Sequence, residues 1–413
     1  MIKGTKIRAG LIGAKLSHSF SPRIHAALAD YPYRLIELEE AQVGDFLQSG
    51  DFDCLNVTIP YKKTVMPYLA EISPAAARIG AVNTILRRAD GTLYGHNTDY
   101  DGFSDLVKDC GVSLQGKRVL ILGSGGASRT AVTVATDMGA AEVVVVSRSG
   151  ADNYENLDRH AHAQVIVNAT PVGMYPHNGA APLSLDLFPR LEAVLDMIYN
   201  PARTALLLQA EARGIPHRNG LLMLVSQARR AAELFLDTVI EDNEVKRITE
   251  DIAADTENVI LIGMPGCGKT TLGKRLAKQL GREFVDCDEE IVRTAGCSIP
   301  HIFETEGEAG FRARESAVLG DVCKRSALVI ATGGGAVTQA RNYPLMHQNG
   351  RILFLDADPT ALPTDGRPLS QKKTPAVLYR ERLPLYRQMA DKIIPVSRDI
   401  EENMQKITEA LRK

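Results

Sequence analysis

The sequence predicts an α/β protein of two to three domains, with parallel sheets covered on both faces, and three observations carry that prediction. Short β-branched runs, from IRAGLIG at residue 7 to RILFLD at residue 351, alternate with helix-length segments along the 413-residue chain. Unbroken apolar strands between helices belong to sheets buried on both sides. Two Gly-rich loops, GSGGAS from residue 123 and GMPGCGKT from residue 263, each follow such a run and precede a helical pattern. A polar, acidic stretch at residues 241–258, EDNEVKRITEDIAADTEN, stands between the two loops. At roughly 100 to 200 residues per domain, this length exceeds one ordinary core.

Taken in order, IRAGLIG, CLNVTI, RVLILG, EVVVVS, QVIVNA and AVLDMI read as strands ahead of the acidic stretch, and VILIG, ALVIATGGG and RILFLD after it. GLLMLVSQARRAAELFLDTVI, from residue 220, reads as an amphipathic helix. The acidic segment that follows has few large apolar groups, so it is expected to be a frayed helix end and linker, with the boundary near residues 250–257.

Hydrophobic residues make up 45% and charged residues 24% of the chain, the balance of a soluble globular protein. A net charge of -2 gives no reason to expect nucleic acid or an anionic membrane as partner. No apolar run approaches a bilayer-spanning length, and the start MIKGTKIRAGLIGA is too short and Gly-broken for a secretory signal, so a cytoplasmic protein is expected. The cysteines at 54, 110, 267, 287, 297 and 323 form no C-x-x-C pair and read as reduced, structural thiols.

The G-x-x-x-x-G-K-T loop points to a nucleotide phosphate. Its set is Gly263, Gly266, Cys267, Gly268, Lys269, Thr270 and Thr271: backbone N–H groups turn inward, Lys269 reaches the terminal phosphates, and the Thr270 hydroxyl is placed to bind Mg²⁺. FVDCDEEI puts Asp286 and Asp288 on one side of a strand end, one suited to the metal shell and the other to a substrate hydroxyl. GFRARE offers Arg312 and YRERLPLYRQMAD offers Arg382, both suited to a bidentate grip on a carboxylate. Gly333, Gly334 and Gly335 let a small polyol approach the main chain. Residues 257–413 therefore resemble shikimate kinase, of the nucleoside monophosphate kinase-like P-loop group, with its three-layer α/β fold. The resemblance implies MgATP, with Asp286 supporting the metal. It also implies that Asp288, Arg312, the three glycines and Arg382 bind shikimate, and that Arg367 in TDGRPLS is a lid arginine closing on the transferred phosphate. The catalytic set of this half is Lys269, Asp288 and Arg367.

In the first half, Gly123, Ser124, Gly125, Gly126 and Ala127 form a strand-to-helix turn that can admit a pyrophosphate, with Ser128 at the third small position. The next strand ends in Ser147, Arg148 and Ser149 rather than an acidic residue. A cation and hydroxyls suit a 2'-phosphate, which favours NADP over NAD. Ser21 before Pro22 also reads as a helix N-cap, Lys62 as a solvated charge, and Asp99 as a cap. HSFSP, NVTIPYK, AVNT, NTD, VNATPVGM, DMIYNP and GLLMLVSQA together resemble shikimate dehydrogenase over residues 7 to about 240. That family implies Ser19, Ser21 and Tyr199 at the substrate carboxylate, and Thr58, Asn83, Asn97 and Gln227 at its hydroxyls. Lys62 and Asp99 become the catalytic pair, and Gly220 lies near the nicotinamide. Lys62 is taken as the acid/base and Asp99 as the group that orients it; a carboxylate neighbour raises a lysine pKa whereas burial lowers it.

The expected layout is a dehydrogenase-like region at 1–250, with a substrate subdomain (1–101 plus 221–245) and a Rossmann-like NADP subdomain (102–220), then a kinase-like domain at 257–413. The expected activity is NADPH-dependent reduction of 3-dehydroshikimate followed by MgATP-dependent phosphorylation of shikimate. The partners are small molecules, with no nucleic acid or membrane and with room for a homo-oligomer. A quinate/shikimate dehydrogenase or an inactive binding module as the first half, joined to a small-molecule kinase of other specificity such as gluconate kinase, is the alternative.

Overall fold

The computed structural model describes residues 7–17, 19–362 and 374–412. The chain divides into two compact units. The first runs to Ala253, apart from two short segments, Gly173–Ala180 and Asn200–Ala205, that group with the second unit, which continues from Ala254.

The first unit opens with β1 (Ala9–Gly13), α1 (Ser21–Leu28), β2 (Tyr33–Glu37), α2 (Val43–Ser49), β3 (Cys54–Val57), β4 (Glu71–Ile72), α3 (Pro74–Ile79), β5 (Thr84–Arg87) and β6 (Leu93–His96). Its strands form one sheet in the order β2-β1-β3-β5-β6-β4. The sheet is mixed rather than wholly parallel: β1 pairs in parallel with β2 and β3, whereas β5 runs antiparallel to both β3 and β6. For β5 and β6 the reason is local. Arg88 N donates to Thr92 O at 2.8 Å across a turn with Gly91 at φ 84°, and so short a connection can join only antiparallel strands. Ser21 is the first residue of α1 rather than its cap; the Ser19 hydroxyl accepts from Ser21 N at 3.2 Å.

Next come α4 (Asp99–Asp109), β7 (Arg118–Leu122), α5 (Gly126–Asp137), β8 (Glu142–Val146), β9 (Val165–Asn168), β10 (Ala193–Asp196), α6 (Ala205–Ala212), β11 (His217–Arg218) and α7 (Leu221–Leu236). The second sheet, β11-β10-β9-β7-β8, is parallel throughout. Alternate strand residues take opposite faces: Val119, Ile121, Val165 and Val167 pack with Phe103 and Leu106 of α4, whereas Leu120, Leu122 and Ile166 pack with Leu206 and Leu207 of α6. The acidic segment expected to be linker is instead helix α8 (Asp242–Thr256). Val245, Ile248 and Ile252, at helical spacing, bury one stripe against Ile24, Leu221, Val225 and Ala228, and three apolar residues suffice because the other face stays solvated.

The second unit follows with β12 (Asn258–Ile262), α9 (Lys269–Leu280), β13 (Glu283–Asp286), α10 (Cys287–Ala295), α11 (Ile299–Val322), β14 (Leu328–Ala331), α12 (Asn342–His347), β15 (Gly350–Ala357), α13 (Pro375–Met389), β16 (Lys392–Val396) and α14 (Ile400–Arg412). Its sheet, β13-β14-β12-β15-β16, is parallel, and β12 at its centre delivers the chain into the phosphate-binding loop. Ile260, Ile330, Ile352 and Phe354 face one core, whereas Val259, Leu261, Val329 and Leu353 face the other. All six cysteines are free and five are buried. Among the described residues, no helix is long and apolar enough to cross a membrane.

Candidate active sites

In the first unit, β3 ends at Val57 and the chain turns through residues 58–65 before any helix forms. Buried Tyr61 anchors that turn by donating its hydroxyl to Leu38 O, and Lys62 beside it stays partly exposed. Asp99 opens α4 from the other side. Lys62 Nζ lies 2.6 Å from Asp99 Oδ2, with side chains 29% and 18% exposed, so the pair is sheltered yet open to a substrate.

The surrounding polar groups are fixed by one another. Asn97 Oδ1 accepts from Asp99 N at 3.1 Å, and its Nδ2 donates to Ala81 O at 2.9 Å. Asn83 Oδ1 accepts from Thr98 N at 2.7 Å, and Thr98 Oγ1 lies 3.5 Å from Gln227 Oε1. Thr98, which the sequence reading did not single out, joins two of the expected hydroxyl-binding residues. Thr58 N donates to Ile12 O at the end of the parallel strands. Phe20, between Ser19 and Ser21, meets Tyr199 edge to face at 6.1 Å, and burial raises the Tyr199 phenol above its ordinary range.

Between β7 and α5, Gly123 takes φ 105°, and a side chain there would come within 2.9 Å of Ala169 O. Ser124, Gly125, Gly126 and Ala127 are exposed, with open space where side chains at Gly125 and Gly126 would stand. No side chain caps α5. Its first-turn N–H groups therefore face an open cradle that fits a pyrophosphate. Ser147 is half-buried after β8, whereas Arg148 and Ser149 are exposed on the turn, a donor set that fits a 2'-phosphate. Gly220 precedes α7, where a Cβ would meet Met197 O at 2.2 Å. Two fully buried polar residues went unread in the sequence: Asn168 and Asp196 end β9 and β10 and join at 3.0 Å. Asn168 also holds Thr170, whose methyl lies 3.0 Å from the Cβ position of Gly123, so the pair fixes the floor of the glycine turn.

In the second unit, one cleft of about 710 Å³ gathers Gly266, Gly268, Lys269, Thr270, Thr271, Asp286, Asp288, Arg312, Gly333, Gly334, Gly335 and Arg382. Gly263, Gly266 and Gly268 all have positive φ, which lets the loop curl. Cys267 is turned into the core, so only its backbone can serve a phosphate. Lys269 Nζ donates to Gly263 O and Met264 O at 2.9 and 3.0 Å. Thr270 Oγ1 donates to Asp286 Oδ2 at 2.8 Å, a pair of oxygens that fits a largely hydrated Mg²⁺. Asp286 Oδ1 caps α10 through Asp288 N at 3.0 Å.

Arg312 and Arg382 are only 5% and 6% exposed. Arg312 Nη1 donates to Glu315 Oε2 at 2.7 Å; Glu315 is fully buried, and desolvation raises its carboxyl although Arg312 opposes the shift. Its other oxygen, Oε1, has no hydrogen-bond partner among the described residues. The sequence reading missed Glu315, yet its place three residues after Arg312 on a helix was a usable signal. The Gly334 carbonyl accepts from Arg382 Nη1 at 3.1 Å and from the Tyr386 hydroxyl. On its other side, a Cβ at Gly334 would lie 2.5 Å from Pro265, and one at Gly335 would lie 2.2 Å from Arg312 Nη2. Arg367 lies outside the described residues.

A family model for the shikimate dehydrogenase substrate binding domain matches residues 11–85. The NADP(+) shikimate dehydrogenase of Clostridium beijerinckii is 34% identical over 60% of this chain and 97% of its own length. The chain belongs to the shikimate dehydrogenase family. A chorismate mutase/shikimate 5-dehydrogenase fusion protein from Clostridium acetobutylicum is 35% identical with a TM-score of 0.57, covering 60% of this chain and 97% of that one. The shikimate 5-dehydrogenase of Thermus thermophilus, solved in complex with NADP(H) and shikimate, is 31% identical with a TM-score of 0.54 over 59% of this chain and 99% of that one. A shikimate kinase family model matches residues 265–412. This shikimate dehydrogenase thus carries a kinase domain in the same chain and is a bifunctional shikimate-pathway enzyme, an oxidoreductase and a phosphotransferase. It works with NADP(H), and its kinase domain implies ATP and Mg²⁺. The alternative of a quinate-directed or inert first half with a kinase of other specificity is not favoured.

Proposed function

We propose that Lys62 and Asp99 carry the proton chemistry of 3-dehydroshikimate reduction, and that the cleft around Lys269 phosphorylates the shikimate so formed. The dehydrogenase region is assigned to residues 1–250, with 102–220 as its NADP subdomain, and the kinase domain to 257–413. Bound NADPH supplies the hydride in the first step and MgATP the phosphoryl group in the second. As the ketone carbon gains hydride, its oxygen needs a proton, and a partly exposed ammonium held by a carboxylate at 2.6 Å can deliver one. Lys62 is the acid, and Asp99 orients it. Ser19 and Ser21, with Tyr199, hold the substrate carboxylate; Thr58, Asn83, Asn97 and Gln227 hold hydroxyls. Gly123, Ser124, Gly125, Gly126 and Ala127 would cradle the pyrophosphate, Gly220 would stand by the nicotinamide, and Ser147, Arg148 and Ser149 would take the 2'-phosphate.

In the kinase domain, Arg312 and Arg382 hold the carboxylate while Asp288 accepts the proton of the attacking hydroxyl. Gly333, Gly334 and Gly335 let the ring lie against the backbone, Thr270 and Asp286 would hold Mg²⁺, and Arg367 would close on the phosphate. Lys269 must exchange its two loop carbonyls for phosphate oxygens. The Lys62–Asp99 contact is the observation that carries this reading, and a one-pot assay with 3-dehydroshikimate, NADPH and MgATP tests it. Lys62→Ala is expected to stop NADPH oxidation while shikimate added directly is still phosphorylated, and Lys269→Ala to do the reverse. Loss of both activities, or of neither, in either variant overturns the assignment. A cytoplasmic setting, where thiols stay reduced, suits six free cysteines. A net charge of -2 favours small molecules over nucleic acid as partners, and sedimentation velocity checks for a homo-oligomer.

A further inference from the structure

We propose that the Tyr33 phenol, working through Asn56, is a positioning device that sets the span between the carboxylate-binding and hydroxyl-binding ends of the dehydrogenase pocket. The inference rests on the assignment of Ser21 and Asn83 to those two ends. Neither Tyr33 nor Asn56 belongs to the residues assigned above to substrate, cofactor or proton.

The geometry is a chain of hydrogen bonds that starts at the half-buried Tyr33 and is buried from Asn56 onward. The Ser21 side chain stands beside the Tyr33 phenol. Tyr33 donates its hydroxyl to Asn56 Oδ1 at 2.7 Å. Asn56 Nδ2 donates to Thr84 Oγ1 at 3.2 Å and to Asn83 O at 3.3 Å. Thr84 Oγ1 donates to Asn83 Oδ1 at 3.0 Å, and the same oxygen receives Thr98 N at 2.7 Å. Asn56 is 5% exposed and Thr84 not at all. The chain therefore runs beneath the pocket, from β2 through β3 to β5, and ends on the amide expected to meet a ring hydroxyl.

Two features separate this chain from ordinary packing. Burying several amides and hydroxyls is costly unless each finds a partner, and an apolar filling would hold three strands together at less cost. The Tyr33 ring is also locked, stacked on His25 with centroids 4.0 Å apart and planes 11° apart, while His25 Nδ1 lies 2.6 Å from the Tyr31 hydroxyl. A locked ring with one fixed hydroxyl has a single place to put it, so Ser21 is held at a set distance from Asn83. That distance is a property a rigid ring acid can read, since its carboxylate and hydroxyls cannot adjust to each other.

The test measures NADPH oxidation by the full-length chain carrying Tyr33→Phe, Asn56→Ala, both together, or Ser21→Ala, with kinase turnover of each preparation as an internal check on folding. Tyr33→Phe is expected to raise KM for 3-dehydroshikimate about fivefold to tenfold. KM for NADPH and the kinase rate should stay put. Asn56→Ala should do the same, and the double variant should be no worse than either single, because one chain is cut twice. With the carboxamide of 3-dehydroshikimate as substrate, the penalty of Tyr33→Phe should shrink. The proposal is overturned by an unchanged KM in Tyr33→Phe, by a parallel rise in KM for NADPH, or by penalties that simply multiply. If Ser21→Ala itself leaves KM unchanged, the carboxylate assignment fails and the inference with it; if Ser21→Ala responds and Tyr33→Phe does not, only the inference fails. Tyr33→Phe keeps the ring stacked on His25, so it decides the matter alone should Asn56→Ala be unstable.

Discussion

On the assignments proposed here, the first unit grips the substrate carboxylate with the neutral hydroxyls of Ser19 and Ser21, whereas the second grips it with the guanidiniums of Arg312 and Arg382, both more than nine-tenths buried. A buried cation needs a counter-charge, and Arg312 finds one in Glu315 at 2.7 Å, itself wholly out of solvent. The neutral pocket needs no such partner; its amides and hydroxyls satisfy one another. The one ion pair at its mouth, Lys62 with Asp99, is then free to handle a proton rather than hold charge in place. The kinase must also gather a polyphosphate beside an anionic acceptor, and cations serve both. One ligand therefore leads to two designs because the reaction beside it differs.

The sharpest way to break the comparison is to remove the proton handler. Lys62→Ala should slow 3-dehydroshikimate reduction by about 10²- to 10⁴-fold and leave kinase turnover intact, read by the two assays on one preparation. Next in size, Glu315→Ala leaves the buried Arg312 guanidinium only its longer, more exposed contact with Glu308 at 3.4 Å, so the second unit should lose up to about 3 to 5 kcal/mol in denaturant unfolding. Asn83→Ala, which removes a neutral partner, should cost the first unit only about 1 to 3 kcal/mol; equal losses would erase the distinction drawn above.

A titration sharpens it further. Burial lowers His25 from 6.5 to about 3, so the unfolded chain takes up a proton that the folded first unit refuses. Its contribution is complete above pH 6.5 and is lost as pH falls toward 3. Between pH 7 and 5 the first unit should lose about 2 kcal/mol, and His25→Phe should flatten that slope in urea midpoints followed by dehydrogenase activity. The smallest effect is steric. Gly335→Ala would set a methyl 2.2 Å from Arg312 Nη2, the end of a side chain that can shift, and should raise KM for shikimate about tenfold while leaving KM for ATP little changed.

What could be read from the sequence follows from the same physics. The strands flanking both glycine loops are unbroken apolar runs, so β7 to β10, β12, β14 and β15 were legible. The edge strand β2 and the pair β5 and β6 mix polar with apolar residues, which hides them and with them the antiparallel part of the first sheet. Helix α8 was misread because its charge outweighs its apolar stripe on average, although three well-spaced residues are enough to bury. Lys62 and Asp99, which alone read as a solvated charge and a cap, were legible only through the resemblance carried by NVTIPYK and NTD, whereas the kinase cleft stood out through its G-x-x-x-x-G-K-T loop and the set of residues around it. Tyr33, Asn56, Asn168 and Asp196 did not, since a polar residue inside a strand declares its partners only once neighbouring strands are in register.

The peptide at Gly334 is pressed between Pro265 of the nucleotide loop and the two donors from α13. An inhibitor reaching from the nucleotide loop to the three glycines would stay within the one cleft that gathers both and would pass that peptide. Enlarging residue 334 is no free route of escape from such a compound, because the added methyl would stand 2.5 Å from Pro265 and push on the nucleotide loop itself.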